Sequence, residues 1–597
     1  MTDLGPPVVP RPFGTLSNFP TPSSSGGWPS QPLAVVLAAL LFAACSAAAL
    51  GGESGSPAPA GEAAPAEAGP VPAADRPILI GRITIEIVDV FDPSKPGEDG
   101  WFNRFVDLLH IRTREEVIRR QLLFHEGDVL DPEVLAETER NLRALGYLRK
   151  AEVTADQHEN GAADVHVRVQ DSWTTRASYG LGRTGGHTRA ELEAQEVNLL
   201  GFGKKLGFSF ASNQDRKQDT FEYSDEQLFG TRVHMDVSHT NSSDGNGDAF
   251  LMERPFFSYE TPWAAGIGGS RALQTTHIYS QGEKLADFDT SLRSGRIYYG
   301  FSTGLHDNVV LRYSFGALFN RADYTNGRKL TDDCRHRQPP LAPECIAPVE
   351  LTPVDRKVIG PFFEFRRESR NWIKAYNLIR MDRPEDFNLG SVLDIETVLS
   401  RRGLGAGADE VLLLAQMGRG FHAGQNGLLF INHSINGRIG SGSAASNTFE
   451  LAATYYNTRF THQTLVGHTL LDYGFNLDPP GRFLLGGDEG LRGFNSRVLD
   501  GNRRFLINLE DRVWTRKELF HLVYVGFSGF VDLGNAWGGL ESEGFGGLHS
   551  DIGMGLRLDA SRAAHGGLLR LDFAAPVSGD RRGGPAVLFS FGHGFGY

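Results

Sequence analysis

From residue 173 to the C-terminus, segments of about ten residues alternate apolar and polar side chains, separated by polar or turn-rich stretches. KLGFSFASN (Lys205–Asn213), TRVHMDVSHT (Thr231–Thr240) and TFELAATYYN (Thr448–Asn457) are examples. A period of two belongs to a strand whose two faces meet unlike surroundings. Repeated at this length, it is the signature of a transmembrane barrel with one face to lipid and one to the lumen. A soluble sandwich alternates too, but about 425 residues without a second, helical layer is unusual for one. The pattern predicts a mainly β protein with an antiparallel barrel over residues 173–597. Between sixteen and twenty segments qualify as strands, with sixteen expected in the barrel. The excess falls between Lys357 and Phe475, among segments that read as split strands or loop hairpins.

Residues 77–171 follow another pattern. Ile83, Ile85 and Ile87 alternate with Thr84 and Glu86 as a half-buried strand. Thr113 and Glu116 have capping-box spacing before Val117, Ile118 and Leu122. Asp131-Pro132 opens a second helix with the stripe Leu135, Leu142, Leu145 and a stop at Gly146. Strands follow at Lys150–Ala155 and through Val165, Val167 and Val169. The order β-α-α-β-β, with ERNLRALGYLRKAEV (Glu139–Val153), resembles a POTRA (polypeptide-transport-associated) domain. The stretch Val88–Arg112 is longer than that family's usual first connection. Such a small sheet has an edge able to accept an extended peptide, expected here along Val165–Val169.

Composition narrows the class. After residue 50 no run of eighteen apolar residues exists, so no helical span is expected; a barrel is the other structure that satisfies its backbone in lipid. The net charge of −13 argues against nucleic acid as a partner. Residues 1–50 read as a targeting segment. LAVVLAALLFAA (Leu33–Ala44) has the length of a secretory signal core, though Arg11 is the only basic residue before it. Ala47–Ala49 offers a cleavage site. Phe42-Ala43-Ala44-Cys45 resembles a lipoprotein box, with Phe where Leu is usual, and would lipidate Cys45. Residues 51–76, rich in Ala, Pro and Gly, read as a disordered linker. Cys334 and Cys345 suit a loop-closing disulfide in an oxidising compartment; a metal site built on them with His336 lacks a fourth ligand.

The C-terminus carries its own signal. Phe589, Phe591, His593, Phe595 and Tyr597 share one face, and Ser590, Gly592, Gly594 and Gly596 the other. SFGHGFGY (Ser590–Tyr597) matches the terminal signal of outer-membrane barrels, carried by Ser590, Gly592, Phe595 and Tyr597. Glycine weakens strand pairing, so the seam with the first strand (Ala177–Arg183, holding Gly180 and Gly182) is expected to be weak.

LLGGDEGLRGFNSR (Leu484–Arg497) contains Leu491-Arg492-Gly493-Phe494, followed by FLINLEDRVW (Phe505–Trp514) and FVDLGNAWG (Phe530–Gly538). With the terminal signal and the POTRA-like domain, this ordered set resembles the outer-membrane assembly family that includes BamA, TamA and the two-partner-secretion transporters. The resemblance covers nearly all of residues 77–597. It implies an extracellular loop folded into the lumen, with Arg492 paired to Asp532 of the Phe530-x-Asp-x-Gly534 motif and Glu510 as a second acid. Gly493 would allow a tight turn.

The resemblance implies a protein that inserts clients into the bacterial outer membrane by strand pairing at a weak seam, with its POTRA-like domain in the periplasm. The alternative is a secretion pore passing one partner polypeptide; those transporters usually carry two POTRA domains and a plug helix. BamA has more POTRA domains than this chain, which points to a specialised or accessory paralogue. No Gly-x-Ser-x-Gly or His-Glu-x-x-His motif occurs, so enzymatic activity, cofactors and metals are not expected. Expected partners are unfolded outer-membrane or secreted polypeptides, outer-membrane lipid and accessory periplasmic lipoproteins.

Overall fold

The computed structural model describes residues 77–91, 110–158, 161–184, 187–331, 334, 343–348, 351–440, 443–478, 481–520, 522–539, 544–561, 568–578 and 588–593. The targeting segment with Cys45, the linker, Phe595 and Tyr597 lie outside these residues. Two compact units divide between Ser172 and Trp173.

The N-terminal unit contains β1 (Leu79–Val88), α1 (Glu115–Arg119), α2 (Pro132–Ala144), β2 (Leu148–Gln157) and β3 (Ala162–Asp171). This is the order read from the sequence. Val165, Val167 and Val169 join Val117, Ile118, Leu135 and Leu142 in its buried apolar set. Asp131 caps α2 as expected, accepting from Glu133 N at 2.8 Å. That helix ends where Leu145 turns extended rather than on a left-handed Gly146.

Two expectations are corrected here. α1 begins at Glu115 with no side-chain cap. Thr113 is taken instead by the buried carboxylate of Asp171, which accepts its N–H and its hydroxyl, each at 2.8 Å, and lies 3.0 Å from His110 Nε2. A carboxylate out of water needs several donors, and that demand outweighs a local cap. Glu116 pairs with Arg120. The second correction concerns the edge. The sheet order is β1-β3-β2, so the Val165–Val169 strand is central, parallel to β1 and antiparallel to β2. The outer side of β1 bonds residues 127–130, for example Ile80 N to Asp128 O at 2.8 Å. On β2, Val153 N donates to Glu139 Oε2 of α2 at 3.1 Å.

Among the described residues the second unit is a closed antiparallel barrel of twenty strands, running from Thr175–Thr184 round to Leu588–His593. The expected sixteen is too few. Between Lys357 and Phe475 the segments Val392–Ser400, Glu410–His422, Gly427–Gly440, Ser443–Asn457 and Gln463–Phe475 all join the barrel. Only Trp372–Tyr376 and Pro384–Asn388 leave it, as a separate hairpin. Such strands resemble loops in sequence because their inner faces are charged. The barrel satisfies those charges across strands: Arg296 reaches Glu364 at 2.9 Å and Glu396 at 2.6 Å. Outward positions such as Leu465, Leu471 and Leu509 are exposed, as a lipid-facing surface requires.

An even strand count returns the chain to the end where it entered. The connection after Gln463–Phe475 therefore opens at the end opposite Thr175, and the one after Arg356–Ser369 at the Thr175 end.

Candidate functional site

The connection between Gln463–Phe475 and Arg503–Leu519 turns back into the lumen. Its two short strands, Phe483–Leu485 and Leu499–Gly501, pair with each other. Leu485, Leu491, Phe494, Val498 and Leu499 bury themselves against Leu506 and Ala536 of the wall. This apolar anchoring delivers Arg492 to a place where it is only 2% exposed.

Arg492 meets both expected acids. Its Nε donates to Asp532 Oδ2 and its Nη2 to Asp532 Oδ1, each at 2.8 Å. Its Nη1 donates to Glu510 Oε2 at 3.1 Å. The planar fork suits two parallel bonds to one carboxylate. Pairing across the ladder explains the convergence. Asp532 stands opposite Asn508 and Phe530 opposite Glu510, so all four face inward. Asn508 Nδ2 adds a bond to Asp532 Oδ1 at 2.7 Å and another to Gly490 O at 2.9 Å. Gly534, two residues after Asp532, lies where an added Cβ would come within 2.8 Å of Phe505 O.

Gly493 has a different reason from the one expected. Its φ is not positive, but an added Cβ would come within 2.5 Å of Asp551 Cβ. Space against the wall, not turn geometry, requires glycine there.

The charge cluster extends beyond the motif. Arg557 donates to Glu510 Oε1 at 2.9 Å and also binds Asp572. Arg512 donates to Glu510 Oε1 at 3.1 Å. Arg570 lies 3.8 Å from Asp572, and Asp551 pairs with Asp532 in the ladder. Glu510, Asp532 and Asp572 thus lie among Arg492, Arg512, Arg557 and Arg570, with ion pairs that let these buried charges persist. The motif gave no sign of Asp551, Arg557 or Asp572. Period-two reading of HSDIGMGLRLDA (His549–Ala560) carries the signal, since Asp551 and Arg557 share the inner face.

The loop is also held from outside. Arg497 Nη1 reaches Asp215 Oδ2 at 3.1 Å and its guanidinium lies 4.5 Å from the Tyr279 ring centroid. Asp500 accepts from Ser280 Oγ and Gln281 N, each at 3.2 Å. Cys334 and Cys345 form a disulfide, so neither sulfur is a metal-ligating thiolate. The site holds ion pairs and apolar anchors that clasp the loop to the wall.

A POTRA fold together with a barrel whose lumen clasps an Arg-Gly-Phe loop defines an outer-membrane barrel protein with a periplasmic POTRA domain. The POTRA family (surface antigen variable number repeat) matches residues 109–171. The outer membrane protein assembly factor BamA of Neorickettsia risticii (strain Illinois) is 24% identical over 215 residues, 35% of this chain and 24% of that protein. The match thus spans about a quarter of that relative's length. Among solved structures, BamA of Haemophilus ducreyi lacking POTRA domains 1–3 aligns with a TM-score of 0.37 at 14% identity, over 85% of this chain and 84% of that one. CdiB of Escherichia coli aligns with a TM-score of 0.43 at 11% identity, over 86% and 76%. The chain is thus similar to an outer-membrane protein assembly factor. With the POTRA domain periplasmic, the Thr175 end is periplasmic too, and the Arg492 loop enters from the extracellular end.

Proposed function

We propose that this protein inserts client polypeptides into the outer membrane sideways, through the seam between Leu588–His593 and Thr175–Thr184. One observation carries the reading: the lumen is entered from both ends by the chain's own connections, the Arg492 loop from one and the Trp372–Tyr376 and Pro384–Asn388 hairpin from the other. Glycine weakens strand pairing, and Gly592 on the last strand faces a first strand holding Gly180 and Gly182, so this seam opens at least cost to the barrel. The resemblance to an assembly factor supports the same reading. Strand pairing and lipid burial supply the driving force, so no covalent chemistry, cofactor or metal is invoked. The clients are unfolded outer-membrane polypeptides, helped by accessory periplasmic lipoproteins. A secretion pore for one polypeptide is the second reading, since barrels of this kind serve both tasks.

Depleting the protein and quantifying the outer-membrane proteome together with the secreted fraction separates the two. Loss of several unrelated barrels supports insertion. An intact membrane proteome with one missing exoprotein overturns it in favour of secretion.

A further inference from the structure

The periplasmic connection between Arg356–Ser369 and Val392–Ser400 folds back as the hairpin Trp372–Tyr376 and Pro384–Asn388. We propose that this hairpin is a detachable plug closing the periplasmic mouth of the lumen, with Arg380 and Asp559 as its latch.

Strand register places its contacts on the inner wall. Val466 pairs with Glu510 and with Tyr456, so these residues share the lumen face. Leu378, Phe387 and Leu389 of the hairpin segment are buried in one cluster with Phe430, Tyr456 and Val466. Asn377 O accepts from Thr464 Oγ1 at 2.7 Å and from Trp514 Nε1 at 3.0 Å. At the far side Arg380 grips Asp559, with Nη2 2.6 Å from Oδ1 and Nε 3.0 Å from Oδ2, and Met381 N adds a bond at 2.8 Å. At the near side Trp372 Nε1 donates to Tyr259 Oη at 2.8 Å. Tyr259 precedes the strand Trp263–Ser280, and Asp559 lies on His549–Ala560, eleven steps round a barrel of twenty. The hairpin therefore bridges nearly opposite walls.

Its attachment is suited to release. The two strands pair only with each other and contribute nothing to the barrel ladder. Glu385 accepts from Leu378 N at 3.0 Å and Arg380 N at 3.1 Å, so the tip carries its own internal brace. Removing the hairpin breaks side-chain contacts, among them the Arg380–Asp559 pair, and leaves every barrel strand paired. The plug also touches the extracellular clasp. Arg512 donates from Nη1 to Leu378 O at 3.0 Å and from Nε to Glu510 Oε1, while Glu510 Oε2 accepts from Arg492. Glu510 thus joins the two closures. The inference goes beyond the insertion reading and stands whichever client the barrel serves.

The test uses the full chain with its three native cysteines replaced by serine and Val466→Cys beneath the hairpin. Labelling by a hydrophilic maleimide is measured for this protein and with Arg380→Ala or Asp559→Asn added, folding being checked by heat-modifiable gel mobility. The latch variants are expected to label several-fold faster, and the exchange Arg380→Asp with Asp559→Arg to slow labelling again. In the Arg492→Ala background, replacing residues 372–388 by a short glycine turn is expected to raise single-channel conductance well above that of Arg492→Ala alone. Folded latch variants with unchanged labelling, or a folded deletion with unchanged conductance, would overturn the proposal.

Discussion

The Phe530 ring lies beneath the Arg492 guanidinium, whose central carbon is 3.4 Å from the ring centroid. Phe530 and Asp532 are two residues apart on one strand and face the same way. The motif's aromatic and its acid therefore hold two surfaces of the same cation, one by its face and one by its edge. Arg492→Ala removes the partner of two buried carboxylates and should cost about 3–5 kcal/mol. Phe530→Leu should cost less, about 2 kcal/mol, because the ion pairs survive. The temperature at which the folded barrel loses its fast gel mobility measures both. Equal effects would show that the aromatic, not the charge, holds the loop.

How far this site was legible follows from its chemistry. Arg492, Asp532 and Glu510 stood out because a guanidinium within an apolar loop needs acids, and the resemblance said where they stood. Arg557 and Asp572 lie on neighbouring strands whose alternation says which face they occupy but not which partner they meet. Partners across a barrel depend on register, and one residue of slip sends a side chain to lipid. Loop hairpins were expected between Lys357 and Phe475, but this one could not be singled out because its strands have five residues each and one begins at Pro384. Thr113 was read as a cap since the distant Asp171 is invisible to local spacing. Val165–Val169 was read correctly as a strand, but alternation cannot tell a central strand from an edge.

Asp171 is fully buried and holds Thr113 through two bonds. Asp171→Ala would leave a buried N–H and hydroxyl unsatisfied, at about 1–3 kcal/mol each. Protease resistance of the N-terminal domain should fall accordingly, with the barrel's gel mobility unchanged. Resistance equal to wild type would mean that water replaces the carboxylate.

The Arg82 N–H, donating to Asp164 at 2.8 Å, and His158 beside it hold the Asp164 carboxyl below its ordinary value of 3.8. A depressed pKa in the folded state stabilises above the unfolded value and loses that contribution as pH falls through the folded one. The N-terminal domain should therefore lose stability below about pH 4 more steeply than Asp164→Asn, read by acid titration of its unfolding. Parallel titrations would remove Asp164 from the account.

The disulfide closes a loop with a sequence separation of 11. A loop of this size is stabilised by about 3 kcal/mol on the chain-entropy account. Ala347 N bonds Gly327 O at 3.1 Å beyond the disulfide, so reduction should loosen the 329–356 connection without unfolding the barrel. Limited proteolysis under reducing conditions should cut there first. Loss of heat-modifiable mobility on reduction would contradict this.

The available sheet edge lies on β2, not on Val165–Val169, and the domain guards it itself. Glu139 accepts from Val153 N, and Arg143, which pairs with Glu139, reaches Ala151 O at 3.4 Å. An incoming strand would take these same two backbone groups, so the side chains compete with it directly. Glu139→Ala removes the competitor and leaves Val153 N to water, which solvates an edge amide well. A photo-reactive residue at Thr154 should then capture more envelope polypeptide in Glu139→Ala than in wild type, and one at Val167 little in either. Capture at Val167 alone would mean that clients meet this domain by a face and not by strand addition.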